Sequence, residues 1–207
     1  MVSKKILMSN DEYAYTGGPP NLKLALAYAM VFNEFLRHTD FLKMTAFTMG
    51  VSTLDFNQTA AVLNTNGVLF KLYGDHLGEG SIPVAISGNA PPPAPTQHLV
   101  GDMPRTSAGS PTYPLDMVAA LSPDRKSLTL AVVNATDSEQ HFDLNVSGVH
   151  LGGDGSVWRM TGSSLDAANH VGKPAEVEVK ESAVGAAPKT ITVAPISVEV
   201  SRFPVAP

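Results

Sequence analysis

The 207-residue sequence has no cysteine, few charged residues and no long hydrophobic run. Without cysteine, disulfides and thiolate metal sites are excluded, although the compartment stays open because many secreted proteins also lack cysteine. Charged residues make up 16%, the net charge is -5, and the absence of a basic block argues against a nucleic-acid partner. No segment approaches the roughly 20 apolar residues that span a bilayer, and residues 1–5 are too polar to begin a signal peptide. We therefore expect no membrane partner.

The start of the chain has the most distinctive pattern. An apolar, strand-like run ends in Asp11 and Glu12, and residues 15–20 then force a loop before a helical pattern begins. This is typical of a catalytic residue at the carboxyl end of a barrel strand. Because side chains alternate along a strand, we expect Glu12 to face a pocket and Asp11 to point the other way. A solvated acidic turn after an ordinary strand is the alternative.

The next stretch predicts a helix, a strand and a second helix. The helix covers residues 21–38 with Asn21 as its N-cap, and residues 41–51 predict a buried strand. The second helix begins at Gln58 or Thr65 and ends at His76. Strands that alternate with helices are typical of a parallel sheet.

The composition changes near residue 80. A proline-rich connector at residues 91–95 and a loop to Pro114 lead into short β-patterned runs without helices, which indicate a β-sandwich. Residues 122–126 and 134–138 are interpreted as hairpin turns. Trp158 is interpreted as a core residue in preference to a sugar platform. The predicted strands cover residues 115–120, 127–134, 141–147, 156–161, 176–180 and 190–203, the last interrupted by Pro195.

Several stretches together resemble a known family. They are residues 9–13, 27–40, 71–76, 113–116, 130–134, 160–169 and 194–198. In these stretches the chain resembles the C-terminal part of α-L-arabinofuranosidases of glycoside hydrolase family 51. The resemblance implies an α/β plus all-β fold, in which a partial (β/α)8 barrel of two βα units precedes a jelly-roll-like β-sandwich. Residues 1–80 would form the barrel segment and residues 81–207 the sandwich domain.

The resemblance also implies a chemistry. The family retains anomeric configuration, and its nucleophile corresponds to Glu12; such hydrolysis needs two carboxyl groups and water, so we expect no metal or organic cofactor. We expect Tyr13, Tyr15 and Met49 to be substrate-binding residues, although Thr16 falls where many family members place a second aromatic near the sugar. Tyr13 stands where tryptophan is usual and Met49 where glutamine is usual, which weakens the expectation of arabinofuranose specificity. Tyr13 and Tyr15 could stack on a sugar or fill core space.

The second catalytic carboxyl group has no evident counterpart in this chain. The family's acid/base follows an asparagine, but Asn33-Glu34 lies within the first predicted helix, so Glu34 is interpreted as structural or solvated. The chain could be a piece of a longer enzyme, a subunit of a split enzyme, or a noncatalytic carbohydrate-binding or assembly module. The open edges of two βα units predict a homo-oligomer or a chain that supplies the missing barrel half.

Overall fold

A computed structural model describes residues 6–15, 18–48, 53–77, 80–88, 110–185 and 188–206. The N-terminal part consists of β1 (Met8–Tyr13), α1 (Leu22–Arg37), β2 (Leu42–Phe47), β3 (Leu54–Phe56), β4 (Ala61–Leu63) and α2 (Thr65–His76). The strands that follow are β5 (Ile82–Val84), β6 (Asp116–Leu121), β7 (Ser127–Asn134), β8 (Gln140–Asp143), β9 (His150–Leu151), β10 (Gly155–Thr161), β11 (Glu178–Val184), β12 (Thr190–Val193) and β13 (Ser197–Ala206).

Strands β1 and β2 pair in parallel, from Met8 opposite Leu42 to Tyr13 opposite Phe47, with irregularities between. The predicted parallel pairing is thus confirmed. The prediction that the second strand is buried is wrong, because Met44 is 60% exposed. One face of the pair packs on α1 through the rings of Tyr13 and Phe47, while the other face has no covering layer among the described residues.

Both helices begin at asparagine caps. The Asn21 side chain accepts a hydrogen bond from the backbone N–H of Leu24, as predicted, and the Asn64 side chain accepts one from Gly67. Of the two starts considered for the second helix, Thr65 is confirmed, and the residues before it include the β3–β4 hairpin, which was not predicted. Neither helix has an apolar stretch long enough to cross a membrane.

An antiparallel sheet forms the centre of the fold. Its strand order is β11-β10-β13-β7-β6-β5, and β9 adds to the end of β13. The hairpin predicted at residues 122–126 is confirmed, because it joins the paired strands β6 and β7. The hairpin predicted at residues 134–138 is wrong: β8 pairs with β12 in a separate two-stranded sheet, so this turn carries the chain from one sheet to the other.

The central sheet is covered on both faces. Along β7, Ala131 and Val133 belong to one core with the helices, while Leu130 and Val132 belong to another with β12. This is why β7 is a nearly continuous apolar run instead of an alternating one. The helix-side core includes Leu22, Ala25, Leu26, Ala29, Leu69, Leu72, Met160, Val198 and Val200.

A buried polar network joins α1 and α2 to β6. The Asn33 amide donates to the Asp116 carboxylate at 2.8 Å, and the Tyr73 hydroxyl donates to Asn33 at 2.8 Å. Arg37 donates to the Asp116 carboxylate and to the Met117 carbonyl. Burial tends to lower the pKa of Arg37, but its bonds to Asp116 outweigh burial and raise that pKa. Each partner therefore satisfies a group that would be costly to bury alone.

Trp158 is a residue of β10, and its side chain contacts α2. Its ring stacks on the His76 imidazole with centroids 3.8 Å apart, and the Arg202 guanidinium lies 5.4 Å from the Trp158 centroid. Trp158 packs against the helix-side core, which agrees with the core interpretation. Burial, and then the positive charge of Arg202, lower the pKa of His76. The neutral imidazole is therefore the form that this contact favours.

We predict that Asp116→Ala lowers the free energy of unfolding by about 2–3 kcal/mol, because it leaves Asn33 and Arg37 without their shared acceptor. Urea denaturation measures the loss. Asp75→Ala is the matched control, since it removes the exposed Lys71–Asp75 ion pair and should cost at most about 0.5 kcal/mol. Equal losses in the two variants would contradict the importance of the network.

We also predict a pH dependence from His76. Because its pKa is lower in the folded state than the ordinary value of 6.5, the unfolded chain binds more protons, so stability is lost as pH falls below that value. Urea unfolding followed by Trp158 fluorescence at about pH 7.5 and about pH 5.5 measures this loss. His76→Gln should reduce the difference and His150→Gln, in exposed β9, should not; the opposite ranking would exclude His76 as the cause.

Candidate functional site

Glu12 is the next-to-last residue of β1, near the carboxyl end of the parallel pair. The neighbouring Tyr13 ring packs on α1, whereas the Glu12 side chain is exposed. Because the pairing with β2 is irregular between Asn10 and Tyr13, this exposure, and not strand alternation, indicates that Glu12 lies on the uncovered side. Its side chain is exposed and forms no hydrogen bond or ion pair with another described residue. The strand-end position predicted for Glu12 therefore agrees with the structure.

Tyr13 lies among aromatic rings on the opposite face. Its ring centroid is 5.0 Å from Phe35, 5.5 Å from Phe47 and 6.3 Å from Tyr28, mostly in edge-to-face geometry. Burial raises the pKa of Tyr13 to about 12, although a hydrogen bond with Thr45 opposes this shift. Of the two roles considered for Tyr13, these contacts support core filling, because its ring faces α1 and not the side of Glu12.

Tyr15 differs from Tyr13 in exposure. Its side chain is 57% exposed, and its backbone N–H donates to the Tyr28 hydroxyl at 2.5 Å. That bond fixes the backbone just beyond β1 and leaves the ring accessible to a ligand. Met49, the third predicted substrate contact, lies outside the described residues, as does the proline-rich connector at residues 91–95.

Glu34 is engaged on α1. It forms ion pairs with Arg37 at 2.8 Å and His38 at 3.0 Å. Partial burial tends to raise the pKa of Glu34, but the hydrogen bonds from Arg37 and His38 outweigh it and lower that pKa. A general acid at neutral pH needs a raised pKa, so this carboxyl group is unsuited to the role. The structural interpretation of Glu34 agrees with these contacts.

A cleft of about 740 Å³ lies away from Glu12, between the β5–β6 edge and β8. Its floor includes Met117 and Leu130, and its walls include Tyr113, His141 and Phe142. Glu12 does not line this cleft. The described part of the chain contains no cluster of three or more histidine, aspartate or glutamate side chains suited to a metal ion.

No structural role was predicted for Asp116, which lies in the family-like stretch 113–116, and the β3–β4 hairpin was not predicted. Asp116 carries a signal in retrospect, because a carboxylate at the start of an otherwise buried strand requires a buried partner. The hairpin also carries one: Leu54 and Phe56 alternate with Asp55, and Asn57 follows as a turn residue. No pattern in the sequence connects either feature to its contact partner.

The fold and the position of Glu12 together define the class of protein. One face of a parallel strand pair is covered by a helix that packs on an antiparallel sheet, and a carboxylate lies near the carboxyl end of the pair. The sequence profile of the α-L-arabinofuranosidase C-terminal domain matches residues 9–197, and the chain belongs to this family. The resemblance stated from the sequence is thereby confirmed. A search of curated proteins gave no match.

Solved structures of arabinofuranosidases share the fold. The Thermotoga maritima enzyme in complex with arabinose has a TM-score of 0.71 and 20% identity over 94% of this chain and 42% of its own. The Thermotoga petrophila family 51 enzyme has a TM-score of 0.71 and 19% identity over 95% of this chain and 43% of its own. A Paenibacillus polymyxa family 44 xyloglucanase reaches 0.58 with 17% identity, over 96% of this chain and 32% of its own. The chain thus spans less than half the length of these enzymes.

We predict that Tyr13→Ala lowers the free energy of unfolding by about 2–4 kcal/mol, because it removes a ring from an aromatic cluster. Tyr15→Ala, the matched control with an exposed ring, should change stability by no more than about 0.5 kcal/mol. Thermal or urea denaturation of both variants measures the difference. A Tyr13→Ala variant as stable as Tyr15→Ala would contradict the core-filling role.

Proposed function

We propose that this chain supplies the nucleophile of a retaining hydrolase of the α-L-arabinofuranosidase type, which acts on arabinose-containing side chains of plant polysaccharides. The proposed nucleophile is Glu12. Its exposed carboxylate near the carboxyl end of β1, on the face that α1 leaves uncovered, is the observation that carries this proposal. Family membership supports it, as does the arabinose complex of the related Thermotoga maritima enzyme.

The proposed reaction has two steps. A Glu12 carboxylate oxygen attacks the anomeric carbon, and the bond from that carbon to the leaving oxygen breaks. A second carboxyl group, about 5–5.5 Å from the first in retaining enzymes, protonates the leaving oxygen and later takes a proton from the water that hydrolyses the intermediate. Asp11 accepts a hydrogen bond from the Ser9 hydroxyl, and Glu34 is held in ion pairs on α1, so neither carboxylate is free for this role.

We propose that further βα units supply this second carboxyl group. In this view β1, α1, β2 and α2 within residues 1–80 are the last two units of a (β/α)8 barrel, and residues 81–207 form a jelly-roll-like sandwich. Each of β1 and β2 has one unpaired edge among the described residues, and Met8 and Met44 are 51% and 60% exposed. Parallel sheets are normally buried, so these edges favour additional strands, and self-association into a homo-oligomer is the alternative.

A second candidate is a noncatalytic carbohydrate-binding or assembly module. It is favoured by the absence of a carboxylate partner for Glu12 in the described part of the chain. The 740 Å³ cleft also favours it, because the exposed ring of Tyr113 and the polar side chains of His141 and Asp143 line a space large enough for a sugar.

The two candidates differ in one measurable step. A dinitrophenyl α-L-arabinofuranoside has a leaving group that needs no protonation, so Glu12 can attack it without the second carboxyl group. We expect the chain to release a burst of dinitrophenolate and to gain one arabinosyl unit on the peptide that contains Glu12. Stopped-flow absorbance measures the dinitrophenolate, and peptide mass spectrometry measures the arabinosyl adduct.

Glu12→Gln should abolish both the burst and the adduct, because an amide is not a nucleophile in this reaction. Asp11→Asn is the matched control, one residue away and of the same charge change, and should retain both. An adduct on another residue, or none in the unsubstituted chain, would contradict the proposed role of Glu12 and favour the noncatalytic module.

A further inference from the structure

The β3–β4 hairpin lies on the carboxyl side of the parallel strand pair. It begins seven residues after β2 ends at Phe47, and its base is bonded to the start of α2 because the Asn64 N–H donates to the Thr53 carbonyl at 3.0 Å. A Cβ on Gly67 would lie 2.1 Å from that carbonyl, so the hairpin base packs directly on the first turn of α2.

The loop between β10 and β11 bonds the start of α1, because the Ala167 carbonyl accepts the Leu22 N–H. The same loop bonds the hairpin through Val171 and Asp55. The hairpin therefore lies at the end where both helices begin, which is the carboxyl side of the parallel pair.

The hairpin is held rigidly. At its tip, the Asn57 side chain accepts hydrogen bonds from the backbone N–H groups of Thr59 at 2.9 Å and Ala60 at 3.0 Å. On one face, the Asp55 carboxylate accepts the Val171 N–H at 2.7 Å and lies 3.7 Å from His170. These contacts attach that face to the loop between β10 and β11. The hairpin is thus a preformed surface whose orientation is fixed from two sides.

The opposite face of the hairpin is apolar and exposed. Phe56 adjoins Asp55 and so points the other way, away from the loop that holds Asp55. Its side chain is 68% exposed, the largest exposure of an aromatic ring among the described residues, and Leu63 on the same face is 38% exposed. An exposed aromatic ring on a rigid support, at the same end of the parallel pair as Glu12, is suited to a ligand with both apolar and polar faces.

We propose that Phe56 is a stacking platform for a sugar unit of a polysaccharide substrate, next to the unit that Glu12 attacks. The ring covers the apolar C–H face of the sugar while the hydroxyl groups stay in water, so no buried polar partner is needed. The open position suits a polymer, since the chain can extend past the hairpin in either direction. This inference rests on the proposed function and adds the polymer-binding surface to it.

The test uses the Glu12→Gln chain, which cannot turn over, and measures its dissociation constant for soluble arabinoxylan by affinity electrophoresis and calorimetry. Adding Phe56→Ala should weaken binding about five- to tenfold, and Phe56→Leu, which keeps an apolar side chain without a ring face, should weaken it similarly. Phe56→Tyr keeps the ring and should stay within about twofold. His150→Ala, which removes an exposed side chain of β9 assigned to no binding site, is the control and should bind as the Glu12→Gln chain does.

Three results would overturn the platform: no binding of arabinoxylan by the Glu12→Gln chain, unchanged binding after Phe56→Ala, or a Phe56→Ala variant whose main effect is a lower oligomer mass. The last result would assign the hairpin face to a protein contact. Because Phe56 is mostly exposed, its truncation should leave the unfolding midpoint unchanged. The arabinosyl adduct on Glu12 is measured separately, so failure of the platform and failure of the nucleophile are distinguishable.

Discussion

The packing of α1 and α2 on the central antiparallel sheet is the constraint on which the rest of the structure depends. Their shared core runs from Leu22 and Leu69 on the helices to Val133 and Val200 on the sheet, all fully or nearly fully buried. Within it, Asp116 gathers hydrogen bonds from Asn33 and Arg37 on α1. Apolar contact supplies the driving force, and the polar network fixes the registration of the helix on the sheet.

The parallel strands depend on that arrangement because they have no other support among the described residues. Tyr13 and Phe47 connect the β1–β2 pair to α1, and α1 is in turn fixed to β6. Two strands alone are marginal in water, so the orientation of Glu12 derives from the helix-side core. The β3–β4 hairpin is placed similarly, through Asp55 and the loop between β10 and β11. One body thus holds the proposed nucleophile and the proposed sugar platform.

Local sequence patterns predicted many of the helices and strands. Contacts between residues far apart in the sequence could not be predicted in this way. Asn21 was identified as a cap, and β7 was predicted with the bounds Ser127–Asn134, because caps and β-formers act within a few residues. The layers of the fold were harder to predict. An apolar run such as β7 indicates that both faces of the strand are buried, but it does not indicate which elements cover them. Asn33 and Asp116 are 83 positions apart, so their bond has no sequence signature. The position of Glu12 was predictable because it depends on one strand end.

Native-state hydrogen exchange tests most directly whether the helices and the sheet form one unit. If they do, the most protected amides of α1, α2, β7 and β13 exchange with the same opening free energy, and this value equals the global free energy of unfolding. Urea should also lower all of these opening free energies with a common slope. Protection of α1 and α2 that is lost at a clearly lower free energy than that of β7 and β13 would contradict a single unit, because the parallel strands and Glu12 would then be held by a separate, weaker body.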